Sequence, residues 1–375
     1  MKLAMVMKVK DEGDILEDTL RYHAAQGVDV FVVTDNGSTD STPEILQRWV
    51  DAGRMQVINE PSAGFRDEAH GWVTRMARLA ATDHDADWVL HTDADEFWWP
   101  VSGDLRSSLE QVPDSYGVVV TPRIEFVPRP DASGSFFERM TVREKESSLR
   151  PKLAHRAEPD VVLRRGAHDI DVERGEDGMP KAGRPVLRGV RDDDPDDDRR
   201  LIFAPVWPLR VMHFPLRSFD QYKRRVEVML AGTYEDRARK ELREHYDAGR
   251  LPELWDEIAY DDAQVEAGLR DGTLARDERL RDFMGSCPDP AAAAAGARAE
   301  RANQPTEGDA AAEMDEIALD AMRAVTRAEQ GLIRQREDLR RRLERRERQL
   351  RKARRKLRKG PKGVRARIGA LMGRE

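Results

Sequence analysis

Short apolar runs alternate with amphipathic stretches over the first hundred residues. Leu3–Lys8 is a strand candidate rich in Met and Val, and Val30–Thr34 is β-branched and apolar up to Thr34, as expected for a strand buried on both faces. Between them, Ile15–Gln26 sets Ile15, Leu16, Leu20 and His23 at helical spacing, and Gly27 supplies a stop. Thr42 can cap a second helix with Pro43 in its first turn. Met55–Ile58 is a third short strand. Asp67–Ala81 places Trp72, Met76 and Leu79 on one helix face, and Trp88–Thr92 is a fourth strand. Regular alternation of strand and helix implies right-handed crossovers and a mostly parallel, Rossmann-like α/β sheet.

Beyond this point the pattern loosens. Val118–Thr121 reads as another strand, and Pro122 opens a loop-rich half. Asp171–Arg200 is dominated by Gly, Pro, Asp and Arg, with acidic blocks at 192–194 and 196–198, and reads as an exposed insertion. Leu209–Phe214 is apolar again, and Phe219–Leu230 and Asp236–Asp247 have helical spacing. The expected organisation is one domain over 1–287, an Ala-, Gly- and Pro-containing linker over 288–311, a basic helix or coiled coil over 312–359, and a basic tail over 360–375. The heptad seam of Met322, Val325, Leu332, Leu339, Leu343, Leu350 and Leu357 is broken by Glu329, Arg336 and Arg346. It predicts at most a weak homodimer, and a chain ending near Cys287 that keeps its chemistry.

Charge sharpens the division. The whole chain carries −7, but residues 334–375 hold 19 basic and 5 acidic groups, a net of +14, so the remainder carries −21. A strongly basic segment without aromatic residues argues against nucleic-acid stacking and for an anionic membrane surface as partner. One cysteine, Cys287, excludes an internal disulfide, and no run approaches the roughly 20 apolar residues of a membrane span, so a cytoplasmic protein is expected, peripheral at the inner membrane face.

The candidate chemistry lies at the carboxyl ends of the predicted strands, where ligands gather in parallel α/β sheets. Asp35-Asn-Gly-Ser-Thr-Asp follows one strand, and Asp93-Ala-Asp-Glu follows another between two apolar runs. Paired carboxylates suit a magnesium-like ion, which needs few protein oxygens when phosphate and water complete its shell. Such an ion would offset charge growing on a departing pyrophosphate. His213 is a candidate late metal or pyrophosphate ligand. Lys152 and Arg217 are candidate diphosphate contacts. The acceptor's proton needs a base, for which Asp169, His168, Glu125 and Glu96 are open candidates.

Together, Lys8-Val-Lys-Asp-Glu-Gly-Asp-Ile-Leu, the Tyr22-His23 helix end, Asp35-Asn-Gly-Ser-Thr-Asp-Ser-Thr and Asp93-Ala-Asp-Glu-Phe resemble family-2-type glycosyltransferases of the GT-A fold, in the branch with a DADEF-like signature. The resemblance covers about residues 1–125 and extends more loosely to Arg225. It implies Asp35 at the nucleotide base, Asp93 at the ribose or metal, Asp95 as direct metal ligand and Glu12 beside the nucleotide. It further implies Mn2+ or Mg2+, a nucleotide-sugar donor, a glycan or other hydroxyl acceptor, and inverting transfer. Two rival classes are a sugar nucleotidyltransferase, which lacks here its Gly-rich Arg-containing loop, and a non-catalytic scaffold working through the C-terminal helix.

Overall fold

The structure is a computed structural model that describes residues 1–61, 65–113, 116–146, 148–164, 169–172, 207–231, 237–296 and 305–320. The chain runs β1 (Leu3–Val9), α1 (Leu16–Ala25), β2 (Val30–Asp35), α2 (Thr42–Asp51), β3 (Met55–Asn59), α3 (Phe65–Thr82), β4 (Trp88–His91), β5 (Glu96–Pro100), α4 (Leu105–Glu110) and β6 (Val118–Glu125). It continues through α5 (Phe136–Arg139), β7 (Val142–Glu144), β8 (Ser148–Arg156), β9 (Val161–Arg164), β10 (Asp169–Val172), β11 (Leu209–His213), α6 (Phe219–Ala231) and α7 (Arg237–Asp247). Then follow α8 (Leu251–Ile258), α9 (Asp262–Asp271), β12 (Leu274–Arg276), α10 (Arg279–Ser286) and α11 (Pro290–Ala294).

The main sheet has the order β3-β2-β1-β4-β8-β6-β11-β5. Strands β3, β2, β1 and β4 are parallel, and β8 is antiparallel to both β4 and β6. Next, β11 runs parallel to β6, and β5 closes the edge antiparallel to β11. The expected mostly parallel α/β sheet is therefore present, with β8 and β5 reversed. Pro122 lies where the β6–β8 register shifts, as befits a residue with no N–H for the ladder.

Strand periodicity assigns the two faces. Leu3, Met5, Met7 and Val9 of β1 enter one core with Phe31 and Val33, where Leu16 and Leu20 of α1 and Ile45, Leu46 and Trp49 of α2 cover them. Ala4, Val6, Val30 and Val32 enter the other, covered by Val73, Met76, Ala77 and Ala80 of α3. A period of two thus builds two layers of helix on one sheet. A third cluster joins Tyr222 and Val226 of α6 to Leu251 and Trp255 of α8.

The compact unit runs from Met1 to Asp320. Within it α11 packs on α1, and residues 307–320 are helical. This last helix meets buried arginines: fully buried Arg210 lies 3.4 Å from Glu313 and 3.1 Å from Glu316, and Arg143 lies 3.1 Å from Glu316. Arg279 binds both Asp277, at 2.6 Å, and Glu313. Ile317, 1% exposed, adds an apolar contact. The acidic insertion from residue 173 onward, and the basic helix and tail beyond Asp320, lie outside the described residues. Among the described residues, no helix is long and apolar enough to cross a membrane.

Cutting the chain before this helix would strip Arg210 of its carboxylates and Arg143 of Glu316, leaving Arg143 only the Asp277 carboxylate at 3.2 Å. A chain ending at 304 is expected to be about 3–5 kcal/mol less stable than one ending at Asp320, the cost of uncompensated buried charge. Urea unfolding of the two measures this, and equal midpoints would contradict it. The helix over 307–320 thus belongs to the compact unit, past the Cys287 end at which the chemistry is expected to persist.

Candidate active site

Five parallel strands deliver the site with their carboxyl ends. Asp35 ends β2, Glu12 follows β1, the Asp93-Ala94-Asp95 turn follows β4, Glu125 ends β6 and His213 ends β11. Two loops interlock at the β1–β2 side. Asp11 N–H donates to Ser38 Oγ at 2.9 Å, Thr39 N–H donates to Asp11 Oδ1 at 2.6 Å, and Gly13 N–H donates to Asp40 Oδ2 at 2.8 Å. Asp11 holds φ 53 to do so. A Cβ on Gly13 would sit 2.2 Å from Ser41 Oγ and 2.9 Å from Asp40 Oδ2, so a larger residue would push these side chains out of the interlock. Asp35, 5% exposed, accepts at Oδ1 from Ser38 N–H at 3.0 Å and from Ser38 Oγ at 2.6 Å.

The turn after β4 is organised by charge. Lys152 of β8 is buried and reaches Asp93 Oδ2 and Glu96 Oε2, each at 2.7 Å. Glu96, fully buried, also accepts from Asp93 N–H at 2.9 Å and from Arg123 at 3.1 Å. Against burial, Lys152 and Lys8 hold the Asp93 carboxyl below the ordinary carboxylate range. Burial raises Glu96, with Lys152 opposing. Lys152 and Glu96 therefore act on the turn itself. Both Glu96 oxygens are engaged, which leaves it a positioning group. The Asp93 carboxylate stays 41% exposed at the surface of this cluster.

Asp95 turns the other way. Its Oδ2 lies 3.4 Å from His213 Nε2, 3.6 Å from Arg225 Nη1 and 3.9 Å from Arg217 Nη1. His213 Nδ1 bonds Glu125, which also pairs with Arg123 at 2.8 Å. Burial works against charge on His213, but Asp95 and Glu125 on its two sides hold its pKa up at about 9. Arg217, nearly enclosed, contacts Glu12 at 3.1 Å and Asp14 at 2.9 Å. Burial, opposed by Arg217 and reinforced by Asp95 and Asp14, lifts Glu12 above the ordinary carboxylate range.

Of the residues singled out by sequence, the structure thus gathers Glu12, Asp93, Asp95, Glu96, Lys152, His213 and Arg217 in one contact network, with Asp35 at the next strand end. Asp169 opens β10, paired with Arg164, and His168 lies outside the described residues. Asp14, Arg123, Arg224 and Arg225 join the site without a place in the sequence reading. The signal for the last two is the basic doublet on the helix that follows His213-Phe-Pro-Leu-Arg. Arg123 carries no local signal, and Asp14 only its place in the Lys8–Leu16 motif.

Among the described residues, no group of three or more His, Cys, Asp or Glu is arranged to hold a metal by itself. Asp95 and His213 nonetheless face one another, and the Nδ1 bond to Glu125 orients the imidazole as metal-bound histidines are oriented. Two protein ligands and open positions suit a magnesium-like ion that keeps water and phosphate in its shell.

Residues 10–121 match the model of glycosyltransferase family 92, so this segment is of glycosyltransferase type. Among solved structures, S. aureus TarS 1-349 in complex with UDP-GlcNAc is similar at 11% identity over 64% of this chain and 70% of that chain, TM-score 0.28. A second structure of S. aureus TarS 1-349 is 16% identical over 42% of this chain, TM-score 0.28, and the match spans about half of it, 47%. Glucosyl-3-phosphoglycerate synthase from Mycobacterium tuberculosis, in complex with Mn2+, UDP and glucosyl-3-phosphoglycerate, is 14% identical over 42% of this chain and 57% of that one, TM-score 0.25. No curated protein matches the chain.

Buried histidines flank the site. His23 Nδ1 donates to Thr19 O at 2.8 Å, and burial pushes its pKa down to about 3. His155 donates from Nδ1 to Arg156 O at 2.7 Å and meets His91 Nε2 at 2.8 Å, and burial lowers it to about 4. Both are neutral when folded and take a proton near pH 6.5 when unfolded. Their contribution is therefore complete above about pH 6.5 and is lost as pH falls through the window down to about 3–4. The slope approaches about 1.4 kcal/mol per pH unit for each histidine. Urea midpoints should fall steadily from pH 7 to pH 5, less steeply in His23→Gln; a slope unchanged in that variant would contradict the assignment.

Proposed function

We propose that this chain transfers a sugar from a nucleotide-diphosphate donor to a saccharide or other hydroxyl acceptor, assisted by Mn2+ or Mg2+. The observation that carries the reading is the meeting of Asp95 and His213 at 3.4 Å beside the Asp93 carboxylate, at the carboxyl ends of the parallel strands. The family 92 match over residues 10–121 supports the same class.

Asp95 and His213 would hold the cation, with Asp93 at the ribose or at a water of its shell. Once bound, the cation supplies positive charge to the leaving diphosphate. Arg225, half-exposed 3.6 Å from Asp95, would add a second cation there. Asp35 and the interlocked loops around Ser38 would receive the base, and Glu12 would lie beside the nucleotide. Lys152 and Arg217, enclosed by carboxylates, would position the turn and the first loop. Direct inverting displacement needs a base at the acceptor hydroxyl, a role proposed for Asp169 or His168 rather than for the engaged Glu96. The segment beyond Asp320, with its +14 over residues 334–375, is proposed to set location at anionic surfaces and not chemistry.

Asp95→Asn is expected to lower turnover on the order of a thousandfold, the scale of removing one group that stabilises transition-state charge, and to abolish metal-dependent nucleotide binding with an unchanged circular dichroism spectrum. Full activity in this variant, or in excess chelator, would end the metal-dependent reading. Asp35→Ala should raise the donor KM on the order of tenfold, as loss of a charged hydrogen bond does, with little change in kcat. A fall in kcat alone would assign Asp35 a different role.

A further inference from the structure

Among the described residues, strand β5 is the edge of the main sheet, paired only with β11. It nevertheless has the most exacting task in the site, because it begins at Glu96, directly after Asp95. Its register with β11 sets Glu96 opposite His213, and Phe214 N–H donates to Asp95 O at 2.9 Å. An edge strand leaves one row of backbone groups without a neighbour and is free to slip or twist. Here the missing neighbour is supplied by side chains. Trp98 N–H donates to His23 Nε2 at 3.1 Å, and Trp98 O accepts from Tyr22 Oη at 2.9 Å. One turn earlier on the same helix face, Thr19 Oγ1 donates to Ala94 O. All three side chains are fully buried. The bond from His23 Nδ1 to Thr19 O fixes the tautomer that leaves Nε2 as the acceptor.

We propose that Tyr22 and His23 are positioning residues, a side-chain clamp on α1 that stands in for a neighbouring strand and holds β5 in the register that sets Asp95 against His213. The inference rests on the reading of Asp95 and His213 as the cation site. The clamp acts on both backbone groups of one residue, as a partner strand would. Thr19 secures the turn two residues before β5. A change at His23 therefore reaches the cation site through backbone register, with no contact to cation, donor or acceptor.

The test uses the full chain, manganese as probe, alone and with uridine diphosphate, and binding read by water-proton relaxation. His23→Leu keeps the volume and removes the acceptor; His23→Gln keeps an acceptor for Trp98 N–H. Leu20→Ala, a core truncation on the same helix, serves as the control for general destabilisation. His23→Leu should weaken manganese binding roughly tenfold to a hundredfold, the scale seen for groups that orient metal ligands. His23→Gln should stay within about threefold of wild type on the same scale, and Leu20→Ala should leave affinity unchanged despite a lower Tm. Affinity in His23→Leu equal to wild type would overturn the proposal, as would a loss that Leu20→Ala matches. Wild-type protein that binds no manganese, like Asp95→Asn, would sink the functional reading instead. Hydrogen exchange over residues 93–99 would then decide the clamp: faster exchange in His23→Leu than in Leu20→Ala sustains it, and equal exchange ends it.

Discussion

The site depends on one buried cation. Lys152 is only 2% exposed, and a charged amine at that depth persists only if carboxylates surround it. Asp93 and Glu96 do so at 2.7 Å each, and against burial they raise its pKa. This triad joins β8, the turn after β4 and the start of β5. With Glu96 drawn inward, Asp95, its neighbour in sequence, turns toward His213. The orientation of Asp95 follows from where its neighbour's charge is neutralised.

The same logic repeats outward. Arg123 lies between Glu96 and Glu125, His213 between Glu125 and Asp95, and Arg217 beside Asp95, Glu12 and Asp14. Acidic and basic groups alternate across the carboxyl ends of β1, β4, β6 and β11. Such a chain keeps Asp95 ionised at low exposure, its carboxyl held far below its usual range by His213, Arg217 and Arg225 against burial, while burial still raises Glu12 and Glu96. Preformed, oriented carboxylates such as Asp93 and Asp95 need little reorganisation when charge is brought beside them.

How much of this could be read from sequence follows the range of the interactions. Val30–Thr34, Trp88–Thr92 and the helices between them declare themselves by local periodicity, and Asp35, Asp93 and Asp95 follow because they sit at strand ends. Lys152 reads as a surface diphosphate contact because its partners lie 59 and 56 residues away and sequence gives no burial. Glu96 reads as a candidate base for the same reason. Residues 307–320 follow an Ala-rich stretch and read as part linker, part exposed helix. Their acidic face, Glu313, Glu316 and Asp320, gains meaning only beside Arg210, which is itself hidden inside an apolar run. The DADEF-type turn was visible as a motif, while the α1 side chains that hold its strand were visible only as the end of a helix.

The family 92 match ends at residue 121, and this boundary divides the site by charge. Glu12, Asp35, Asp93, Asp95 and Glu96 lie inside it; Arg123, Lys152, His213, Arg217 and Arg225 lie beyond it. The matched segment thus provides the site's anions apart from Glu125, and the later half provides nearly all of their counter-charges. Carboxylates alone at these strand ends would repel one another and take up protons. The later half therefore supplies the positive charge that lets the carboxylates of the first stay close together. Arg225, half-exposed beside Asp95, shows that the half completing the electrostatics also reaches the surface at that point.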